Sequence, residues 1–235
     1  MMSKKVLRYA LVLTMALSLV GCGGKDKAEV HEINRTVGEK ENTVATQATK
    51  EESKADDTAN TSSEELLSGK YAVLISIENY GDILVELDAD EAPITVTNFM
   101  KLVHEEYYTG LTFHRIIEGF MMQGGQSADK PAANIRGEFA ANGISNQIRH
   151  ERGVISMARA NHPDSASSQF FICHQDSDFL DGMYAGFGHV VSGMEVVDKI
   201  CEEAVVIDDN GTVPPENQPV ITGIYDVTEE YKKEK

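Results

Sequence analysis

The residues with the most informative chemistry lie in Phe113-His114-Arg115-Ile116-Ile117-Glu118-Gly119-Phe120-Met121-Met122-Gln123-Gly124-Gly125, followed further along the chain by Ser168-Gln169-Phe170-Phe171-Ile172. One arginine is set among aromatic and sulfur side chains, without an adjacent nucleophile, acid pair or cluster of metal ligands. A guanidinium stays protonated at any relevant pH, so Arg115 is suited to act by hydrogen bond and electric field rather than by proton transfer. The combination fits chemistry that twists a bond instead of breaking one.

The surrounding pattern indicates how these residues are carried. Tyr71 to Glu78 alternates as a strand, Asn79-Tyr80-Gly81-Asp82 supplies turn residues, and Ile83 to Leu87 continues as the second arm of a hairpin. Pro93 suits a first helical turn, and Val96, Phe99, Met100 and Val103 recur at helical spacing behind it. Met194, Val197, Ile200 and Cys201 repeat that spacing after the Ser192-Gly193 break. Short apolar runs at Leu111–Ile117, Phe120–Gln123, Val154–Met157, Phe170–Cys173, Phe187–Val191 and Val220–Val227 are separated by stretches rich in Gly, Asn and Ser. Many short strands with two helices at separate places predict a mainly antiparallel barrel with helices packed on it.

The first residues carry a different message. Lys4, Lys5 and Arg8 precede the apolar run Ala10–Val20, which is too short for a bilayer core needing about 20 helical residues. A basic start, a short apolar middle and small residues at the cut describe an export signal, expected to occupy residues 1–21 and to be removed. Leu19-Val20-Gly21-Cys22 resembles the bacterial lipoprotein signal, which makes Cys22 the expected lipid anchor and the outer side of the cell membrane the expected location. Residues 22–69 are mostly Glu, Lys, Thr, Ser, Asp and Ala and bury too little apolar surface to fold, so they are expected to be a disordered tether.

Composition excludes several classes of function. The formal charge of −17, with no basic stripe, disfavours nucleic-acid binding. Glycine-rich phosphate loops are absent, which leaves nucleotide chemistry without support. The seven histidines show no pair at metal-ligand spacing, so neither a metal nor another cofactor is expected. By strand alternation His114 is expected to point away from the side chain of Arg115. Ser165, Ser167 and Ser168 lie in a polar loop without the glycine setting of a hydrolase nucleophile and read as turn and packing residues. Cys173 and Cys201 are expected to be buried thiols rather than a bridge.

With Phe113–Gly125, Ser156-Met157-Ala158-Arg159-Ala160, Ser167-Ser168-Gln169-Phe170-Phe171-Ile172 and Phe179-Leu180-Asp181-Gly182 in this order, the chain resembles the cyclophilin family of peptidyl-prolyl cis-trans isomerases. The resemblance covers residues 70–228 and leaves 229–235 as a charged tail. It implies a closed eight-stranded antiparallel barrel capped by two helices, with a groove for proline-containing segments of unfolded or exported proteins; the length after the tether is that of one domain, and a monomer is expected. It also implies a catalytic role for Arg115 and a proline pocket made by Phe120, Met121, Phe171 and Leu180. Gln123 and Gln169 would bond the substrate or hold Arg115, and Ala158 and Ala160 would line the groove for the residue before proline.

Departures from the family pattern fall in the same groove. Phe179 stands where a tryptophan is frequent, Tyr184 where a histidine is frequent, and Arg159 where an asparagine is frequent; these substrate-binding positions bear on preference more than on the reaction. Glu118 replaces a frequent proline. A second reading keeps the groove but makes it a non-catalytic peptide-binding or chaperone module. A solute-binding lipoprotein is a third, disfavoured because the region after the tether has the length of one lobe.

Overall fold

The structure, a computed structural model, describes residues 65–234. The expected signal segment, the anchor Cys22 and nearly all of the tether lie outside the described residues. Strands β1 (Lys70–Ile77) and β2 (Gly81–Asp88) form the expected hairpin, with Lys70 opposite Asp88 and Ile77 opposite Gly81. Asn79 takes a φ of 63° and Gly81 one of 120° at the turn. Helix α1 (Pro93–His104) follows, then β3 (Phe113–Ile117), β4 (Met121–Gly124), β5 (Val154–Met157), β6 (Phe170–Cys173) and β7 (Gly186–Ser192). Helix α2 (Met194–Glu203), β8 (Ile221–Asp226) and α3 (Thr228–Glu234) complete the order. The strands make one antiparallel sheet in the order β3-β4-β6-β5-β7-β2-β1-β8.

Two expectations need correction. The sheet is an open half-barrel rather than a closed barrel. No ladder joins its end strands, β3 and β8; the residues at and just before their starts touch at the isolated Thr112–Val220 bridge and at flanking bonds such as Phe113 N–H to Pro219 O at 3.0 Å. The outer edge of β3 is already taken. Ile116 N–H donates to Gly211 O at 2.8 Å and Val213 N–H to His114 O at 3.0 Å, so the segment before β8, not β8 itself, satisfies that edge. Among the described residues the α-helices number three rather than two, because most of the residues expected as a charged tail wind into α3. Thr228 Oγ1 accepts from Ala72 N–H at 3.1 Å and Tyr231 Oη donates to Glu86 at 2.9 Å, fastening that helix to the hairpin.

Alternation along the strands sends side chains to two separate apolar clusters. Phe170 and Ile172 of β6 enter the large core with Phe99, Phe113, Met122 and Phe187, whereas Phe171 and Cys173 join Met121, Val154 and Leu180 on the other face. Phe99 of α1 anchors the large core, meeting Tyr108 and Phe187 at ring centroid distances of 5.2 Å and Phe170 edge-on at 5.6 Å. Met121, Phe171 and Leu180 of the smaller cluster line a pocket that opens to solvent.

Helix α1 has no capping side chain of its own, since Ala92 occupies the N-cap. The cap arrives from 44 residues away. Glu138, buried at 1% exposure, accepts from Ile94 N–H at 2.9 Å and Thr95 N–H at 2.7 Å with its two carboxylate oxygens. An anion at the positive end of the helix satisfies amides that Ala92 cannot reach. Glu138→Ala is expected to lower stability by about 2 kcal/mol, read from urea denaturation, because it strands two amide donors at a buried helix end.

Candidate active site

Arg115 reaches the open face through an irregularity in β3. Phe113 pairs with Gly124, yet Arg115 pairs with Gln123, so the step between them holds one residue more than its partner strand. This bulge lets Phe113 enter the large core while Arg115, two residues on, lines the opposite face. Strict alternation would have put both on one side. The expectation for His114, which rested on that alternation, therefore does not apply; His114 is the extra residue of the bulge and is half-buried.

The guanidinium is held by neutral acceptors. Arg115 Nε donates to Asn210 O at 2.8 Å, Nη1 donates to Gln123 Oε1 at 3.3 Å, and the Met121 sulfur lies 3.9 Å from Nη1. Gln123 Nε2 in turn donates to Gln169 Oε1 at 3.0 Å, extending the chain across β4 and β6. The Phe120 ring centre is 6.0 Å from Arg115 Cζ. Burial lowers the pKa of Arg115 from its ordinary value, against the opposing influence of Tyr184 and Asp208. A guanidinium shifted in this way remains a cation and so a permanent donor.

Beside this cation lies a pocket of about 160 Å³. Phe120, Met121, Phe171 and Leu180 form its apolar wall, Arg115 and Gln123 its polar side, and Ala158, Arg159 and Tyr184 the remainder. Such a volume is below the several hundred Å³ of sites for whole small-molecule ligands and suits one small side chain. Three candidate residues stand outside the lining. Gln169 sits behind Gln123 as its acceptor, Ala160 is exposed with its N–H bonded to Ser165 Oγ at 2.9 Å, and Phe179 is 67% exposed at the rim, its ring 5.4 Å from that of Phe120.

Other residues around the site carry no local signal in the sequence. Asn210 is 95 residues from the arginine it holds, on a turn whose Asp-Asp-Asn-Gly composition marks a loop but not its contact. Beneath the pocket, Asp181 Oδ1 lies 3.0 Å from His150 Nδ1, and His150 Nε2 lies 2.9 Å from Ser156 Oγ. The order acid, imidazole, hydroxyl is that of a hydrolytic triad, but Ser156 has 0% exposure and is closed to a substrate. Its visible role is support: the His150 ring stacks on Phe171 at 6.0 Å and 17°, fixing one wall of the pocket from below. Cys173 and Cys201 are free and buried, and burial pushes both thiols up to about 12, so neither is a thiolate at neutral pH.

Comparison with known proteins places this geometry in context. A family model described as cyclophilin type peptidyl-prolyl cis-trans isomerase/CLD matches residues 72–225. Peptidyl-prolyl cis-trans isomerase A of Dickeya dadantii is 46% identical over 127 residues, covering 52% of this chain and 67% of that protein. Peptidyl-prolyl cis-trans isomerase B of Escherichia coli is 41% identical over 130 residues, covering 52% and 79%. Among solved structures, a cyclophilin type peptidyl-prolyl cis-trans isomerase of Cryptosporidium parvum superposes with a TM-score of 0.59 at 28% identity, covering 68% of this chain and 99% of that one. The same Cryptosporidium protein, solved in the presence of the dipeptide Ala-Pro, gives 0.57 at 28% identity over 67% and 99%.

The histidines of the site generate a pH dependence. Burial holds His150 below the usual 6.5, with Asp181 opposing, and burial together with Arg115 does the same for His114. Each is neutral in the folded chain at pH values where the unfolded chain has begun to bind a proton. Their contribution is therefore complete above about pH 6.5 and is lost as pH falls through the folded values. Urea midpoints are expected to decline below pH 6.5, with a shallower decline in His150→Gln.

Proposed function

The chain belongs to the cyclophilin-type peptidyl-prolyl cis-trans isomerases, and from that premise we propose that Arg115 is the catalytic donor of this isomerase, acting on a proline ring seated in the pocket of Phe120, Met121, Phe171 and Leu180. The observation that carries the proposal is the fixed guanidinium on the wall of an otherwise apolar pocket. The peptide bond resists rotation by about 18–20 kcal/mol because the nitrogen lone pair is delocalised into the carbonyl. In the twisted transition state that pair is localised on the proline nitrogen and becomes a hydrogen-bond acceptor.

A guanidinium has five N–H donors, of which the bonds to Asn210 and Gln123 and the contact with the Met121 sulfur occupy three. The others remain for the prolyl nitrogen, which accepts only when twisted, so the interaction favours the transition state over either planar isomer. No proton is transferred and no covalent bond forms or breaks. The apolar wall grips the ring while the preceding residue rotates. Gln123 and Gln169 keep the arginine aimed; exchange of Arg115 for lysine would remove the planar fork that allows one group to serve anchor and substrate together.

The setting proposed for this activity is the outer side of the cell membrane, with Cys22 carrying lipid and the residues between it and β1 joining it to the domain. Exported chains whose folding waits on proline isomerisation, a step of tens of seconds at 25 °C, are the fitting clients.

Two outcomes are expected. Arg115→Ala should lower kcat/KM for a short proline peptide by about 100- to 1000-fold, the scale of losing one preorganised donor, with its circular dichroism spectrum unchanged. A fully active variant would remove Arg115 from the mechanism. For the setting, Cys22→Ser should shift the protein from the membrane fraction to the soluble or secreted fraction; continued membrane association would count against the lipid anchor.

A further inference from the structure

Resting on the isomerase reading, we infer that Arg159 makes this groove selective for prolines preceded by an acidic residue. Two arginines, Arg115 and Arg159, line the same small pocket. Neither has a carboxylate within ion-pair distance among the described residues, whereas Arg149 and Arg152 are paired with Asp181 and Asp198. In a chain of formal charge −17 the groove thus carries cationic charge that no direct partner neutralises.

The partners of Arg159 explain how the charge is kept in place without being cancelled. Its guanidinium lies over two rings, 5.0 Å from the centre of Phe139 and 4.7 Å from that of Tyr184. Nε and Nη2 donate to Met183 O at 3.0 and 2.9 Å, and Nη1 donates to Ala160 O at 3.0 Å. All are neutral groups. Ring faces and carbonyl oxygens fix the orientation and leave the net charge intact. The acidic side chain with an electrostatic influence on Arg115, Asp208, is itself occupied, accepting from Asn210 N–H at 3.1 Å and Thr212 N–H at 3.0 Å in its own turn.

A proline seated in the pocket brings its preceding residue with it, since consecutive Cα atoms are separated by about 3.8 Å. Arg115 addresses the nitrogen through which that residue is attached, so its side chain stays at the cationic mouth and not in the apolar end. A carboxylate there meets Arg159. The overall charge of the protein acts in the opposite direction, repelling acidic peptides and attracting basic ones. A preference for an acid must therefore come from local groups, of which Arg115 and Arg159 are the cations lining the pocket.

The test compares kcat/KM of the full-length chain for three peptides differing only in the residue before proline, which is Glu, Gln or Lys. The expected order is Glu, then Gln, then Lys, with a Glu-to-Gln ratio of about two to five, the range of a partly exposed ion pair. That ratio should fall to about one in Arg159→Gln and persist in Arg159→Lys. Ratios cancel any general loss of activity, and the order in the unaltered chain stands as a test if a variant fails to fold. A Glu-to-Gln ratio of one or below with all three peptides isomerised overturns the inference and leaves the isomerase reading in place. An undiminished ratio in folded Arg159→Gln removes Arg159 from it, and no acceleration of any peptide overturns the isomerase reading itself.

Discussion

A cation that must face an apolar pocket without an acidic partner has to be held by neutral acceptors, and the architecture around Arg115 follows from that requirement. Under the proposed mechanism, a carboxylate at hydrogen-bond distance would compete with the substrate for the guanidinium's donors and weaken its field at the prolyl nitrogen. Here the anchoring is done by the Asn210 carbonyl and by Gln123, itself bonded to Gln169. Each bond to a charged donor contributes about 1.5–3 kcal/mol, enough to hold one rotamer but not to quench the charge. The bulge in β3 exists within the same constraint, since it turns Arg115 to the open face while leaving Phe113 in the large core.

The division of the sheet into two apolar faces supplies the rest. One face, covered by α1 and centred on Phe99, carries most of the buried apolar residues and gives the domain its rigidity. The other is a small cluster around Met121, Phe171 and Leu180 that is only partly covered, and the uncovered part is the pocket. Arg115, Met121, Gln123 and Phe171 sit on strands that the larger core holds in register, while Phe120, Leu180 and Tyr184 come from turns beside them. Under Phe171 the Asp181–His150–Ser156 chain adds a polar support, with every ring nitrogen of the buried histidine engaged.

Much of this was legible from local pattern, and the failures have a common cause. The hairpin, α1 and α2 announce themselves through alternation, Pro93 and helical spacing, because those signals are confined to a few neighbouring residues. What escaped depends on distant partners. The opening of the sheet arises because Gly211–Val213 takes the edge of β3, and nothing near Phe113 announces it. The N-cap of α1 comes from Glu138, and α3 is helical where its charged composition reads as a tail because Thr228 and Tyr231 fasten it to the hairpin. At the site, the family motifs bring Arg115, Phe120, Met121, Gln123, Ala158, Arg159, Phe171, Leu180 and Tyr184 to one pocket. Motif membership alone does not separate lining from support, and so Gln169, Ala160 and Phe179 stand behind or at the rim. Asn210 and His150 belong to no pattern that a single strand or helix imposes.

The central claim is that Arg115 interacts with the twisted bond and not with the planar isomers. The most direct measurement is NMR exchange spectroscopy of a proline peptide with the protein and with its Arg115→Ala variant, which yields the affinities for the cis and trans forms separately from their interconversion rate on the protein. Retained affinities, changed by less than about threefold, together with an interconversion rate reduced by about 100-fold or more are the expected result for a donor engaged only in the transition state. Affinities and rate falling in parallel, or a rate left intact, would contradict it.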